Sequence, residues 1–92
     1  MATSSDDDSK LIVRLLTDKE AYNILEFMYI NNNISFKDAK LQCNVHKMQD
    51  LIDYGLVEKR HKKRGKYIFS WYHIKPVGRD IFELTSYFKR SD

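Results

Sequence analysis

The sequence predicts an α+β domain, mostly α, and three observations carry that expectation. Segments with apolar residues at helical spacing recur along the chain, bounded by capping residues. A β-branched and aromatic run, Lys66 to Ile74, follows a shorter apolar-to-basic run, Leu56 to Arg60, across a turn rich in Lys and Arg. The whole is 92 residues long, which suits one small domain with a thin core.

Taken in order, residues 1–9 (MATSSDDDS) are polar and acidic and are expected to form a flexible tail ahead of a folded domain over 10–90. Lys10 to Leu16 is apolar, and a helix is favoured over a strand because Asp6 to Ser9 supply N-caps. Thr17 with Glu20 three residues later reads as a capping box opening a helix over Thr17–Ile30. Ala21, Ile24, Leu25 and Met28 form its inner face, and Tyr22, Phe27, Tyr29 and Ile30 widen that face, so burial on more than one side is expected. Asn31, Asn32 and Asn33 stop it, since asparagine tolerates a left-handed helix end.

Ile34 is a candidate short-strand residue. Ser35 with Asp38 starts a helix of about two turns with Phe36, Ala39 and, as a further candidate, Leu41 facing inward. Gln42, Cys43 and Asn44 form a turn, and Asn44 is placed to cap the helix Val45–Tyr54. There Val45, Met48, Leu51 and Ile52 share one face, while His46, Asp50 and Asp53 point away, flanked by Lys47, Gln49 and Tyr54. Gly55 ends this helix as a left-handed cap. Leu56 to Arg60 and Lys66 to Ile74 are strands, joined by a turn over Lys62, Lys63, Arg64 and Gly65. Pro76 ends the second strand. A last helix, Val77–Arg90, carries Ile81, Phe82, Leu84, Tyr87 and Phe88 on a broad apolar face.

Charge is distributed unevenly. The chain holds 16 Lys and Arg against 13 Asp and Glu, a net charge of +3. Six of the basic residues, Lys59, Arg60, Lys62, Lys63, Arg64 and Lys66, fall within eight positions; without them ten face thirteen, a balance of −3. The net positive charge therefore belongs to one hairpin, as a phosphate-binding surface requires. A charged tip that prevents edge-to-edge pairing is the alternative reading. Only three glycines are present, with no phosphate-cradling loop and no nucleophile or carboxylate constellation, so an enzyme is not expected. Cys43 is the single cysteine and suits a reducing cytoplasm. No run approaches the roughly 20 apolar residues of a membrane span, nor does the N-terminus resemble a secretory signal. Cys43 and His46 lie three apart with His61 and His73 elsewhere, too few to compose a zinc site, and no metal or cofactor is expected. Tyr67, Phe69, Trp71 and Tyr72 suit a strand packed on the core or at a dimer interface; stacking on unpaired bases is the alternative.

The ordered set helix, short helix, helix ending in Leu51, Gly55, Leu56 and Val57, basic hairpin, then Tyr72, Ile74 and Gly78 leading into a last helix resembles winged helix-turn-helix transcriptional regulators. The small archaeal and bacterial MarR, ArsR and PadR types are the look-alikes, over about Leu15 to Phe88. Lys75 stands where they commonly carry threonine, the segment from Ser35 to Leu51 is several residues shorter than usual, and Asp50 and Asp53 put carboxylates on the outward face of the recognition helix. The resemblance implies a two- to three-stranded antiparallel wing and a C-terminal helix. It also implies sequence-specific binding of double-stranded DNA, with the Val45–Tyr54 helix in the major groove. Asn44, His46, Lys47 and Gln49 are then the candidates for base edges and nearby phosphates. Lys62, Lys63 and Arg64, supported by Arg60 and Lys66, would lie on the backbone or in the minor groove, contributing affinity more than sequence information. Six neutralised phosphates would give a log K against log salt slope of roughly −5. Apolar surface on the Thr17–Ile30 and Val77–Arg90 helices points to a homodimer reading two half-sites. A winged-helix module that binds protein instead of DNA is the alternative, because one fold serves many functions.

Overall fold

The computed structural model describes residues 4–90, with side chains from residue 9 onward. Eight elements follow one another: α1 Ser4–Thr17, α2 Lys19–Asn31, β1 Asn33–Ser35, α3 Phe36–Gln42, α4 Val45–Asp53, β2 Val57–Arg64, β3 Tyr67–Ile74 and α5 Pro76–Arg90. The strands form one antiparallel sheet in the order β1-β3-β2. This is an α+β fold, mostly helical, and its arrangement is compatible with a winged helix. Residues 1–3 of the expected tail lie outside the described residues, and α1 begins at Ser4, ahead of the expected start at Lys10.

α2 is the central helix. Ala21, Tyr22, Ile24, Leu25 and Met28 are buried, and the helix packs against α1, α4, α5 and the sheet. Phe82 of α5 stacks on Tyr22 and lies against Tyr29, with ring centroids 5.3 and 4.6 Å apart. Arg79 lies 4.5 Å from the centre of the Tyr29 ring and donates to Asn32 Oδ1 at 2.6 Å, fastening α5 to the end of α2. Burial widens beyond one stripe as expected, except that Ile30 is exposed.

The start of α2 differs from the capping box expected at Thr17. Asp18 is the cap, accepting from Ala21 N at 3.2 Å. The Thr17 hydroxyl donates back to the carbonyls of Val13 and Arg14, so Thr17 completes α1. Asn32, at φ 63°, ends α2 in the left-handed region, as the asparagine run predicts.

The hairpin also differs from expectation. β2 continues to Arg64, and Arg64 pairs with Tyr67, so the turn is the two-residue Gly65–Lys66. Gly65 has φ 61°, the positive value that the first central position of a primed hairpin turn needs. Lys62, Lys63 and Arg64 are therefore strand residues with alternating faces. Leu41 and Val45, expected inside, are exposed; α3 is short and buries only Ala39, and α4 buries Met48 and Leu51.

Three backbone bonds converge where α4, the hairpin and α5 meet. Leu56 N donates to Leu51 O, Lys75 N to Leu56 O, and Ile74 N to Asn32 O, at 3.0, 2.9 and 3.1 Å. Gly78, in the first turn of α5, lies so close to the Leu56 carbonyl that a Cβ there would collide with it. Gly78→Ala is expected to cost about 1–3 kcal/mol by overpacking against backbone. Thermal unfolding should show Tm falling by roughly 4–8 °C for each kcal/mol lost in a domain of this size.

Candidate nucleic-acid interface

The surface that carries the candidate residues is built from α3, α4 and the hairpin. Ser35 Oγ accepts from Asp38 N at 3.1 Å and starts α3; Asn44 Oδ1 accepts from His46 N at 2.9 Å and starts α4. Both caps are those read from the sequence. Gly55, at φ 80°, closes α4 and turns the chain into β2.

The four α4 candidates are not equally available. His46 is exposed. Gln49 is exposed and donates to Asp53 Oδ1 at 2.9 Å, one turn on. The Asn44 acceptor oxygen is engaged as the cap. Lys47 is drawn toward α2, its Nζ 2.6 Å from Asp18 Oδ2. Asp50 is half-buried and Asp53 exposed on the same helix.

Asp18 thus performs two tasks, capping α2 and holding α4 through Lys47. The Lys47 ammonium, then the Ala21 N–H, hold its carboxyl below the ordinary carboxylate value, and Asp18 in turn raises the Lys47 pKa. The depressed Asp18 pKa contributes stability present above the unfolded value of about 3.9 and lost as pH falls through the folded one. The raised Lys47 pKa contributes stability present below about 10.4 and lost as pH rises through its folded value.

On the hairpin, register assigns every side chain to a face. Val57 and Ile74 are paired and buried, as are Tyr72 and Ile34. Lys59, Tyr72's partner on β2, shares that inner face. Its ammonium lies 4.3 Å from the centre of the Phe36 ring, and Lys40 of α3 lies 5.5 Å from the same ring. His61 and Ser70 bond across the strands at 2.8 Å. The opposite, outer face carries Arg60, Lys62 and Arg64 on β2 beside Trp71, Phe69 and Tyr67 on β3. Arg60 forms two bonds to Glu58 Oε2, at 3.1 and 2.7 Å. Among the described residues Lys62, Lys63, Arg64 and Lys66 have no ion-pair partner, so their charge faces solvent.

The structure therefore brings the wing candidates together and separates them by face. It adds Lys37 and Lys40, which the sequence reading does not single out; the signal is lysine one and four residues after Phe36 on a short helix. The aromatic cluster also divides: Tyr72 turns into the core, while Tyr67 and Phe69 are exposed and Trp71 is half-buried. Cys43 is half-buried against the core, and burial raises its thiol pKa, away from the reactive thiolate. Among the described residues no three His, Cys, Asp or Glu side chains are grouped to hold a metal ion, and no helix is long and apolar enough to cross a membrane. Comparison of the chain with family models, with curated proteins and with solved structures gives no match.

Asp18→Asn keeps a good capping side chain and removes the charge, whereas Asp18→Ala removes both. The alanine variant is expected to be less stable than the asparagine variant by about 1 kcal/mol, the value of an N-cap. Urea unfolding between pH 7 and pH 2 should show a steeper acid loss in the parent than in Asp18→Asn. Parallel pH profiles would separate the Asp18 charge from stability.

Proposed function

We propose that the protein is a winged helix-turn-helix transcriptional regulator that binds double-stranded DNA sequence-specifically. The observation that carries this reading is the concentration of Lys62, Lys63, Arg64 and Lys66 on one exposed hairpin adjoining a pair of capped short helices. Beyond Trp71 the hairpin is no longer flanked by β1, and four further residue pairs continue to the turn. That leaves about 14 Å of two-stranded ribbon able to lie along a phosphate backbone.

In this proposal α4 enters the major groove, and His46 and Gln49 reach base edges, with Asn44 offering its free amide nitrogen. Lys47 supports the helix through Asp18 instead of reading sequence. Lys40 and Lys59 extend the cationic surface between α3 and the hairpin. The protein carries out no covalent chemistry and works in the cytoplasm as a homodimer. Exposed Val13 and Leu16 on α1, and Leu84, Tyr87 and Phe88 on α5, support a dimer surface on these two helices, which pack against each other. α2 spends its apolar residues inside the domain, which favours α1 over α2 as the partner of α5 in that surface.

The test is binding to random-sequence duplex DNA across a salt series. Four unpaired cations on phosphates give a log K against log salt slope of about −3.6, and Lys62→Ala/Lys63→Ala/Arg64→Ala should make it shallower by about 2.7. Absence of duplex binding at low salt would sink the proposal and turn the search toward a protein partner.

A further inference from the structure

We propose that the outer face of the β2–β3 hairpin binds single-stranded DNA, stacking unpaired bases on Tyr67, Phe69 and Trp71 while Arg60, Lys62 and Arg64 hold the phosphates. The cross-strand pairs are Arg64 with Tyr67, Lys62 with Phe69 and Arg60 with Trp71. Each rung of the ladder thus offers one aromatic ring and one cation, three times over, on one surface. Tyr67 is 71% and Phe69 53% exposed. Among the described residues none of the three rings stacks on another ring or lies beneath a cation. The rings of Tyr67 and Phe69 are exposed, and that of Trp71 is half-buried.

Three physical points select the occupant. Protection of an edge strand accounts for lysines but not for exposed aromatics paired with them across the hairpin. A row of cations beside the rings, Lys62 and Arg64 unpaired and Arg60 tied to Glu58, calls for a polyanion, and a polyanion whose units carry flat apolar faces is a nucleic acid. Spacing then decides the strandedness. Alternate residues on a strand stand about 6.8 Å apart, twice the ~3.4 Å per nucleotide along one strand of a duplex. Stacked, paired bases cannot follow that ladder; a single strand drawn out to it can place a base at each ring.

A path for the strand is present. β1 ends opposite Trp71, leaving the β3 edge open from Ser70 toward the tip. A groove there, lined by Phe36 and Lys37 of α3 with Phe69 and Trp71 of β3, continues the aromatic and cationic surface around the edge. DNA is chosen because the same hairpin's unpaired cations suit a DNA backbone in the duplex reading, on which this choice rests. The inference does not depend on α4 entering a major groove.

Trp71 is the only tryptophan in the chain, so its fluorescence reports on this face. Titration of the full chain with a short oligothymidylate is expected to quench Trp71 saturably. Lys62 and Arg64, the two unpaired cations of the ladder, give a single-strand salt slope of about −1.4. Tyr67→Ala/Phe69→Ala should weaken oligothymidylate binding by about thirtyfold or more, as the loss of two stacked bases implies. Its duplex affinity and thermal unfolding should stay at parental values, since both side chains are exposed. Trp71→Phe, read by anisotropy, should retain most single-strand binding. Unchanged Trp71 emission, or equal loss of duplex and single-strand binding in the double variant, would overturn the proposal. Much tighter binding of oligouridylate would overturn the choice of DNA. Quenching by oligothymidylate with no duplex binding would leave this inference standing and remove the duplex reading.

Discussion

The backbone of Leu56 is the joint on which the architecture depends. Its N–H is bound by the end of α4 and its carbonyl by Lys75, just before α5. The same carbonyl sits against Gly78, where the missing side chain lets the first turn of α5 come within backbone contact. Around this joint Leu51, Leu56, Val57, Ile74 and Ile81 are almost completely buried. A helix, a strand pair and a second helix are thereby fixed relative to one another by a few residues. The glycine is needed for close approach, and its backbone needs no left-handed conformation, unlike Gly55 and Gly65.

From that joint outward, strand geometry does the rest. Val57 opposite Ile74 fixes the register at the buried end, and Gly65 fixes it at the tip. A slip of one residue would exchange the faces and push Ile74 and Tyr72 into water. The burial of a few apolar residues near Leu56 therefore dictates which way Arg60, Lys62 and Arg64 point farther along the strand, though none of these cations takes part in the core. Lys59 marks the boundary: it is still on the inner face, and its charge is accommodated over the Phe36 ring.

Much of this was legible in the sequence because it is local. Ser35, Asn44 and Gly55 signal their caps within three or four residues, and the 3.6-residue pattern of α2 is long enough to be unambiguous. What was not legible depends on distant partners. Thr17 and Asp18 are both capping residues; the preceding helix takes up the Thr17 hydroxyl, and Lys47, 29 positions on, holds Asp18. β2 hides beneath a basic run because Lys, His and Arg carry no strand signal, and only pairing with β3 extends it to Arg64. For the same reason the sequence places the hairpin turn several residues early, and only the strand register divides the aromatic cluster into inner and outer members. Spacing makes Leu41 a further inward candidate, but a helix of seven residues presents too little surface to bury more than Ala39.

The division of the hairpin into two chemistries follows from one constraint, and in the proposed reading it would give the molecule two separable modes of contact. Cations at the tip and on both strand faces interact with any phosphate backbone and are sensitive to salt. The rings of Tyr67 and Phe69 gain nothing from a phosphate; they gain from a flat apolar surface, and a paired duplex hides its base faces. In the proposed reading, charge and stacking thus respond to different states of a nucleic acid, though they are carried by residues paired across one ribbon. α4, by contrast, is held by the Asp18–Lys47 pair to the central helix, at the cost of one cation that could otherwise face outward. On the proposed reading the hairpin, free of such ties beyond Trp71, is the element that would meet a flexible polyanion, and the helix the one that would meet a rigid groove.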